Sequence, residues 1–508
     1  MVDSSTTQGR LPVVAIVGGG ASGTLAAVHL LRQAVSSRTP MRVVLVDRYG
    51  RHGLGQAYAT DDPGHLLNAC ADKMSAIADD PGHLLRWARR NGLDVAGSDF
   101  LPRMVYGRYL RDVLAAAESQ ASHGAHVTRV TAEVSAITRS FPSAAPVVHL
   151  SGGGRIDADA VVLATGNSRP APLSQVVRDV QARYVGDPWA PGALTGIGDG
   201  APVLVVGTGL TMIDVAITVT RSRPGTKVYA LSRHGLLPRA HRCPAGPPIP
   251  MSIPDDATRL ADLLAAVRAA VKSGDGDWHA VIDGLRPHVP ALWGRLGLDD
   301  RRRFLGLVAR YWEVHRHRIP PSTASLIARL RMTGRLEVVR GRLAGTTAAD
   351  GEVIAHVDED GTPRDLRVGW VVNGTGPSSD VTRDPFLSGL FAAGLGRPDP
   401  LGLGLDADDA GAVLDAGGRP SERIFTLGPT LRGTRYETTA IPEIRTQAAG
   451  LAPRLITAIR SGRRTDAGQY AAVSLSFRHS ASAPASWAAV QLASTARRSA
   501  VGEPGSAV

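Results

Sequence analysis

Two groups of small residues, each directly after an apolar run, have the spacing to do chemistry in this chain. A G-x-G-x-x-G turn between a strand and a helix lets a pyrophosphate approach the backbone, where free N–H groups at the helix start bind it. One such turn predicts one dinucleotide, and two turns about 190 residues apart predict two dinucleotides that face each other, as in reduction of a flavin by a nicotinamide. The residues are Gly18, Gly20, Ser22 and Gly23 after the run 13–17, and Gly207, Gly209, Leu210 and Thr211 after the run 203–206.

The residue that ends the next strand of each unit predicts which dinucleotide binds. The apolar run 42–46 ends at Asp47, 24 residues after the last glycine of the first turn, where a carboxylate accepts hydrogen bonds from ribose hydroxyls. We therefore expect FAD at the first turn. The run 228–231 ends instead at Ser232 and Arg233, and a hydroxyl with a guanidinium suits a 2′-phosphate. This favours NADPH over NADH at the second turn, the alternative being that Arg233 is only a solvated surface residue.

The order of apolar runs predicts an α/β fold with two Rossmann-like dinucleotide-binding domains, the second inserted in the first, and a helical insertion. Two apolar strands end in small residues, one at Thr165 and Gly166 and the other before Gly376, and these ends are expected to lie against the cofactors. The expected boundaries are 1–200 and 346–475 for the FAD-binding domain, 201–345 for the NADPH-binding domain with its helical insertion at about 243–330, and 476–508 for an Ala/Ser-rich tail.

Composition and charge exclude several classes of protein. Two cysteines without a C-x-x-C spacing exclude a disulfide framework and a redox-active dithiol, and they favour a cytoplasmic location. We expect neither a signal peptide nor a membrane span, because the first residues are polar and no apolar run approaches 18 residues. The net charge of +11 comes from scattered arginines without interleaved aromatic residues, so we expect no nucleic-acid partner. His315 and His317 would face apart on a helix, so we expect no metal site.

Two further features predict contacts with the flavin and the substrate. After the strand that ends at Gly428, a helix is expected to begin near Thr438 or Thr439, and its positive end would stabilise a reduced flavin, although an ordinary capped helix is the alternative. Arginine forms bidentate pairs with carboxylates. We therefore expect Arg316, Arg318 and Arg435 to bind a carboxylate of the substrate, the alternative being a solvated basic helix end.

A resemblance to a known family becomes visible in the segment 66–81. It contains Asn68, Lys73, Met74 and Ser75 in order, followed by an Asp-Pro pair. This order resembles the stretch beside the flavin ring of flavin-containing monooxygenases. Residues 12–450 as a whole resemble the FAD/NAD(P)-binding oxidoreductases related to class B flavin monooxygenases. The resemblance implies that Asn68 supports the nicotinamide and the flavin hydroperoxide, that Lys73 is a second catalytic residue, and that Met74 lies at the cofactor.

The segments 61–68 and 436–445 resemble, more narrowly, a bacterial subgroup that includes the aspartate N-monooxygenases, which make nitrosuccinate for natural products. The histidine motif of Baeyer–Villiger enzymes is missing between the two glycine turns, which favours an amine over a ketone as the substrate. The resemblance thus implies an FAD- and NADPH-dependent N-monooxygenase that uses O2, through a C4a-hydroperoxyflavin, to oxidise a small amino acid, with L-aspartate as the best candidate. An NADPH-dependent flavin reductase or other oxidoreductase, and a non-catalytic flavoprotein sensor, stay open as alternatives.

Overall fold

A computed structural model describes residues 10–140, 144–243, 246–251, 253 and 257–478 of the 508-residue chain. The strands are β1 Val13–Val17, β2 Met41–Asp47, β3 Ala125–Thr131, β4 Val134–Thr138, β5 Val147–Leu150, β6 Arg155–Asp157, β7 Ala160–Leu163, β8 Tyr184–Val185, β9 Val203–Val206, β10 Val228–Ser232, β11 Leu336–Arg340, β12 Arg342–Ala349, β13 Glu352–Glu359, β14 Thr362–Val368, β15 Trp370–Asn373, β16 Ala412–Leu414 and β17 Pro420–Thr426. The helices are α1 Ala21–Ser36, α2 His83–Arg90, α3 Arg103–Gln120, α4 Leu210–Ser222, α5 Leu260–Ser273, α6 Trp278–Leu285, α7 Val289–Arg295, α8 Leu298–Arg303, α9 Ala309–Arg316, α10 Pro321–Met332, α11 Pro385–Ala392, α12 Arg432–Arg435 and α13 Ile441–Arg478. Short 3-10 helices lie at Ala71–Lys73, Arg178–Arg183, Arg286–His288, Val381–Arg383 and Gly428–Leu431, and a π-helical turn lies at Phe304–Val308.

The first sheet has the strand order β16-β17-β7-β1-β2-β3. All neighbours are parallel except β16 and β17. Its central strand β1 is buried along its whole length, and alternate residues enter different cores: Val14 and Ile16 pack with α1, α3 and α13, whereas Val13 and Ala15 pack with the three-stranded sheet β4-β5-β6. Burial on both faces explains the continuous apolar sequence of this strand.

The second sheet repeats this plan. Its order β11-β10-β9-β15-β8 is parallel throughout, and the run β11-β10-β9-β15 corresponds to β3-β2-β1-β7 of the first sheet. We call each parallel sheet with its helices a unit. In each unit a strand–helix–strand step, β1-α1-β2 or β9-α4-β10, comes first. A three-stranded antiparallel sheet then lies between the third and fourth strands of the parallel sheet. The mixed α/β fold with two doubly wound parallel sheets confirms the predicted fold class.

Two strands pair with the second sheet although the expected boundaries gave them to the first unit. Residues 346–475 were expected to belong wholly to the first unit, but β15 pairs in parallel with β9 along Trp370–Asn373 and therefore lies in the second sheet. The short strand β8 also joins this sheet, although the expected boundary at residue 200 placed it in the first unit. The chain returns to the first sheet only after Asn373. The assignment of one cofactor to each unit stays a proposal.

The helices α5 to α10 lie between β10 and β11. Helices α5, α6, α7 and α9 contribute to a core of their own, whereas Ile327 and Leu330 of α10 pack in the core of the second sheet. Ala257, Leu285, Leu292 and Trp293 are among the buried residues of the former core, and Tyr436, just after α12, packs into the same core. By its internal contacts, the chain up to Arg460 is one compact body that contains both sheets. The expected tail lies outside the described residues from residue 479 onward. Among the helices that the structure describes, none is long and apolar enough to cross a membrane.

Candidate functional site

The first glycine turn lies between β1 and α1, against the end of β7. Gly18 has φ +111°, and a Cβ there would lie 2.2 Å from the backbone oxygen of Ala164, so only glycine fits. A Cβ on Gly23 would lie 1.8 Å from the oxygen of Gly18. Gly20 precedes α1 without a side-chain cap, so the N–H groups of the first helical turn face outward for a phosphate.

Asp47 and Ser22 lie on either side of this turn. The Asp47 oxygen Oδ1 accepts hydrogen bonds from the backbone N–H groups of Tyr49 and Arg51, both at 2.9 Å, while its Cβ lies 2.7 Å from where a Cβ of Gly19 would be. The carboxylate is therefore held at the turn, where a ribose would lie. Ser22 is buried, and a Cβ on Gly428 would lie 2.5 Å from its hydroxyl, which brings the C-terminal strand end against the start of α1.

The second glycine turn has the same geometry in the second sheet. Gly207 has φ +117°, and a Cβ there would lie 2.1 Å from the oxygen of Gly374, at the end of β15. A Cβ on Gly209 would meet no atom within 4 Å, so the space in front of this residue is open. Leu210 and Thr211 form the first turn of α4, which also begins without a side-chain cap. The open space and the free helix start fit a pyrophosphate.

The end of β10 carries a cluster of arginines. The hydroxyls of Ser232 and Thr208 are hydrogen-bonded to each other at 2.9 Å, so the strand end is tied to the second glycine turn. Arg233 is exposed, and in the parallel register Ser232 lies beside Arg340 at the end of β11. Burial first, and then the nearby charges of Arg310, Arg233, Arg340 and Arg342, lower the pKa of His234. Four guanidiniums around one exposed strand end create a positive field that suits a phosphate.

The segment with Asn68 is fixed to the first unit by its backbone. The N–H groups of Leu67, Ala71 and Asp72 donate to the oxygens of Leu101, Asp99 and Gly97 at 2.8, 2.9 and 3.0 Å. The backbone oxygen of Asn68 accepts a hydrogen bond from His241 Nε2 at 3.0 Å, while the Lys73 side chain is exposed. Met74 packs in the core of the first unit, 4% exposed, and its contact with a cofactor stays a prediction.

The same segment also contacts α4 of the second unit. His65 is buried, and its Nε2 lies 3.1 Å from the backbone oxygen of Asp214 and 2.9 Å from the hydroxyl of Thr218. Asp62 forms an ion pair with Arg221 at 2.5 Å. Because α4 begins at the second glycine turn, the segment that carries Asn68 is bonded both to the first unit and to the helix that follows this turn.

The start of α13 differs from the expectation. The helix begins at Ile441, so neither Thr438 nor Thr439 caps it, and Thr439 is exposed. Thr438 is buried; its hydroxyl donates to the oxygen of Gly428 at 2.9 Å and accepts from Gln447 at 2.8 Å. The side chain of Thr438 thus ties the helix start to Gly428 instead of satisfying a helical N–H.

The carboxylate of Glu313, in α9, is surrounded by three hydrogen-bond donors. Glu313 lies 3.0 Å from His317, 3.3 Å from Arg432 and 3.2 Å from the hydroxyl of Tyr436. Burial alone would raise the pKa of Glu313, but the three donors together lower it to about 2. Tyr436 has φ +58°, a strained value for a bulky residue, and its ring stacks on Trp293 with a centroid distance of 4.7 Å.

The three arginines expected at the substrate occupy different surroundings. Arg316 and Arg318 are buried and form ion pairs, Arg316 with Glu437 at 3.0 Å and Arg318 with Asp283. In each of the two guanidiniums the Nε atom is buried and has no hydrogen-bond partner in the described chain. Arg435 donates instead to the backbone oxygen of Asp409. The structure therefore brings two of the three into the helical insertion, each with a buried Nε–H donor that is not used.

Thr165, Gly166 and Gly376 follow the ends of β7 and β15, next to the two glycine turns, where the sequence places them. Gly166 and Gly376 have φ +75° and +80°, and a Cβ on either would meet no atom within 4 Å. These two strand ends thus leave open space beside each turn. Within the described ranges, no group of three histidine, cysteine or acidic side chains is arranged to hold a metal ion.

Sequence reasoning missed several residues of this site. Arg340 ends β11 and Arg342 begins β12, and the rule that identified Arg233, a basic residue at the end of a parallel strand, would have found this pair. His241, Arg103 and Asp214 gave no such signal, because their contacts join segments far apart in the chain.

Comparison with known proteins agrees with this geometry. Residues 15–168 match a family described as FAD-NAD(P)-binding. No curated protein matches the chain. An ornithine hydroxylase from Pseudomonas aeruginosa is 14% identical, with a TM-score of 0.60 over 88% of this chain and 99% of that one. An L-lysine 6-monooxygenase from Pseudomonas syringae is 16% identical, with a TM-score of 0.58 over 88% and 100% of the two chains. An ornithine N-hydroxylase from Kutzneria sp. 744 is 17% identical, with a TM-score of 0.56 over 90% and 99%. The chain shares the fold of these flavoproteins.

Proposed function

We propose that this chain is an FAD- and NADPH-dependent N-monooxygenase that uses O2 to oxidise the amine of a small amino acid. The observation that carries the proposal is the position of the segment 60–72. Its backbone is bonded to residues 97–101 of the first unit, and its side chains are bonded to α4 of the second. A side chain on this segment stands between a flavin and a nicotinamide bound at the two turns.

The residues that would hold each cofactor follow from the two turns. Gly18, Gly20, Gly23 and Asp47 would bind FAD, and its ring edge would lie at the start of α13. Gly207, Gly209, Ser232 and Arg233 would bind NADPH, with Arg340 and Arg342 adding charge for the 2′-phosphate. Bound FAD supplies the hydride acceptor and the site of reaction with O2. The chain's own contribution is to orient the nicotinamide, through Asn68, and to exclude water from the reduced ring.

Two kinds of evidence support an amino acid as the substrate. The proteins of similar fold include hydroxylases of ornithine and lysine, which supports an amine. Arg316 and Arg318 each have a buried Nε–H donor without a partner in the described chain, which supports a substrate with carboxylates. L-Aspartate, with nitrosuccinate as the product, combines both features and is the preferred candidate. Lys73 and Arg435 remain predicted contacts of the same site.

The test is a turnover experiment with the purified flavoprotein. NADPH oxidation, H2O2 release and oxidised product are measured with L-aspartate, L-ornithine, L-lysine and cadaverine. Succinate serves as a matched control, because it has the two carboxylates of aspartate and no amine. We expect a nitrogen-oxidised product from an amine and none from succinate. NADPH oxidation that yields only H2O2 with every amine would indicate a flavin reductase, and a protein that does not oxidise NADPH would be a sensor.

A further inference from the structure

His241 connects the segment that follows β10 to the segment that carries Asn68. Its Nε2 lies 3.0 Å from the backbone oxygen of Asn68. A carbonyl oxygen only accepts hydrogen bonds, so Nε2 carries the proton and donates. Burial lowers the pKa of His241 to about 4, outweighing the opposite effect of this hydrogen bond. The imidazole is therefore neutral at physiological pH, as this donor geometry requires.

The position of the ring is fixed from three sides. The backbone N–H of His241 donates to the oxygen of Ile319 at 2.9 Å, and the N–H of Ile319 donates to the oxygen of Arg239 at 2.9 Å. These bonds accompany a parallel bridge between Ala240 and Ile319. The imidazole packs against Phe100 with a centroid distance of 4.9 Å, and Phe100 lies next to Leu101, which pairs with Leu67. Because the ring is held in this way, a shift of the His241 backbone would also shift the Asn68 carbonyl to which the ring is bonded.

The backbone segment that carries His241 belongs to the part of the second unit that is proposed to bind the nucleotide. The segment 233–241 begins at Arg233, the residue proposed to bind the 2′-phosphate. Its Leu236 oxygen accepts a hydrogen bond at 2.6 Å from the hydroxyl of Thr208, within the second glycine turn. It ends at His241. One segment of nine residues thus touches the phosphate end of the NADPH site, the glycine turn and the residue proposed to act at the flavin.

We propose that His241 is a positioning residue, which holds the Asn68 backbone at a place set by the NADPH-binding segment. The proposal rests on the function proposed above for Asn68. Its distinct content is that the backbone at Asn68, between the bonded residues Leu67 and Ala71, opens more often when this one hydrogen bond is removed, although no group proposed to contact FAD or NADPH changes. His241 itself is not placed in contact with either cofactor or with the substrate.

The test compares His241→Leu with His241→Gln in the FAD-loaded protein. Glutamine retains a side-chain N–H donor of similar reach, and leucine retains the volume without a donor. The first readout is hydrogen–deuterium exchange of peptides covering residues 66–74, with and without NADP+. We expect exchange on the order of fivefold faster in His241→Leu and near the parent rate in His241→Gln. His29→Leu is the matched control, since His29 is buried and lies 3.2 Å from the backbone oxygen of Ala76.

The second readout is the amount of oxidised product and of H2O2 per NADPH consumed. His241→Leu should keep its flavin and its anaerobic reduction by NADPH within about twofold of the parent, and release several times more H2O2. Unchanged exchange in His241→Leu would overturn the proposal. The proposal would also be overturned if His241→Leu, His241→Gln and His29→Leu all exchanged residues 66–74 at the same rate, because His241 would then have only a general structural role. A parent that yields no product with any amine would refute the proposed function alone, because the exchange result stands without turnover.

Discussion

The guanidinium of Arg103, at the start of α3, donates to the carboxylate of Asp214, in α4, over 2.7 Å. The two side chains are only 13% and 7% exposed. The same guanidinium donates through Nε to the oxygen of Leu66 at 3.1 Å. One ion pair therefore joins the two units, and its arginine also holds the backbone two residues before Asn68.

Asp214→Asn should test the strength of this connection. Removal of one charge leaves Arg103 buried without its counterion, which should lower the free energy of unfolding by about 3 kcal/mol. Denaturant unfolding measures the change. Asp79→Asn is the control, because Asp79 pairs with Arg32 at 2.9 Å on the surface and its loss should cost less than about 1 kcal/mol. Equal losses in the two variants would show that the buried pair has no special role.

Gly23→Val should abolish FAD binding. The new Cβ would lie 1.8 Å from the oxygen of Gly18, which forces the first glycine turn open where the pyrophosphate is proposed to bind. The purified variant should be colourless, and its flavin content is measured from the absorbance at about 450 nm. Gly198→Val is the control, because a Cβ on Gly198 meets no atom within 4 Å. A yellow Gly23→Val protein with full flavin content would contradict the assignment of FAD to this turn.

Arg233→Ala should weaken the binding of NADPH and leave the binding of NADH unaffected. A lost charge-assisted contact to a phosphate costs roughly 1.5–3 kcal/mol, or one to two decades in affinity. The Michaelis constants for both nucleotides measure the effect, and a further decrease is expected with Arg340→Ala. Arg331→Ala, at an exposed arginine of α10, controls for the general loss of positive charge. If Arg233→Ala weakened both nucleotides equally, Arg233 would not recognise the 2′-phosphate.

Asn68→Leu should separate flavin reduction from oxidation of the substrate. The backbone of residue 68 keeps its hydrogen bond to His241, so the flavin and its reduction by NADPH should persist. Without the side-chain amide the reduced flavin loses its protected surroundings, and H2O2 per NADPH should rise several-fold. Product and H2O2 are measured per NADPH consumed. A folded, flavin-loaded variant that makes as much product per NADPH as the parent would remove Asn68 from the mechanism.

His241 should make the stability of the protein depend on acid. Its pKa is about 4 in the folded chain and ordinarily about 6.5, because burial and the charges of Arg318 and Lys73 disfavour the imidazolium more than Asp283 and the Asn68 carbonyl favour it. Between these values the unfolded chain binds the proton and the folded chain does not, so stability falls as the pH falls from 6.5 to 4. His241→Gln should therefore lose less unfolding free energy than the parent between pH 7 and pH 5. Parallel pH dependences in the two proteins would show that the imidazole is not buried in its neutral form.

The sequence was sufficient for those features that short segments encode. The apolar strands, the glycine turns and the residues at the ends of β2 and β10 were all predictable, because a strand, a turn and a helix start are defined within about ten residues. The place of β15 was not, because parallel pairing joins segments more than a hundred residues apart. The partners of Arg316 and Arg318 were hidden for the same reason. Thr438 resembled a cap in sequence, yet its hydroxyl is already used by Gly428.

The first sheet pairs strands that lie far apart in the chain, and this has a consequence for folding during synthesis on the ribosome. Strand β7 pairs with β17, which follows about 260 residues later, whereas β9, β10, β11 and β15 all lie within 203–373. The second sheet can therefore close while the first still exposes the hydrogen-bonding edge of β7 to other nascent chains.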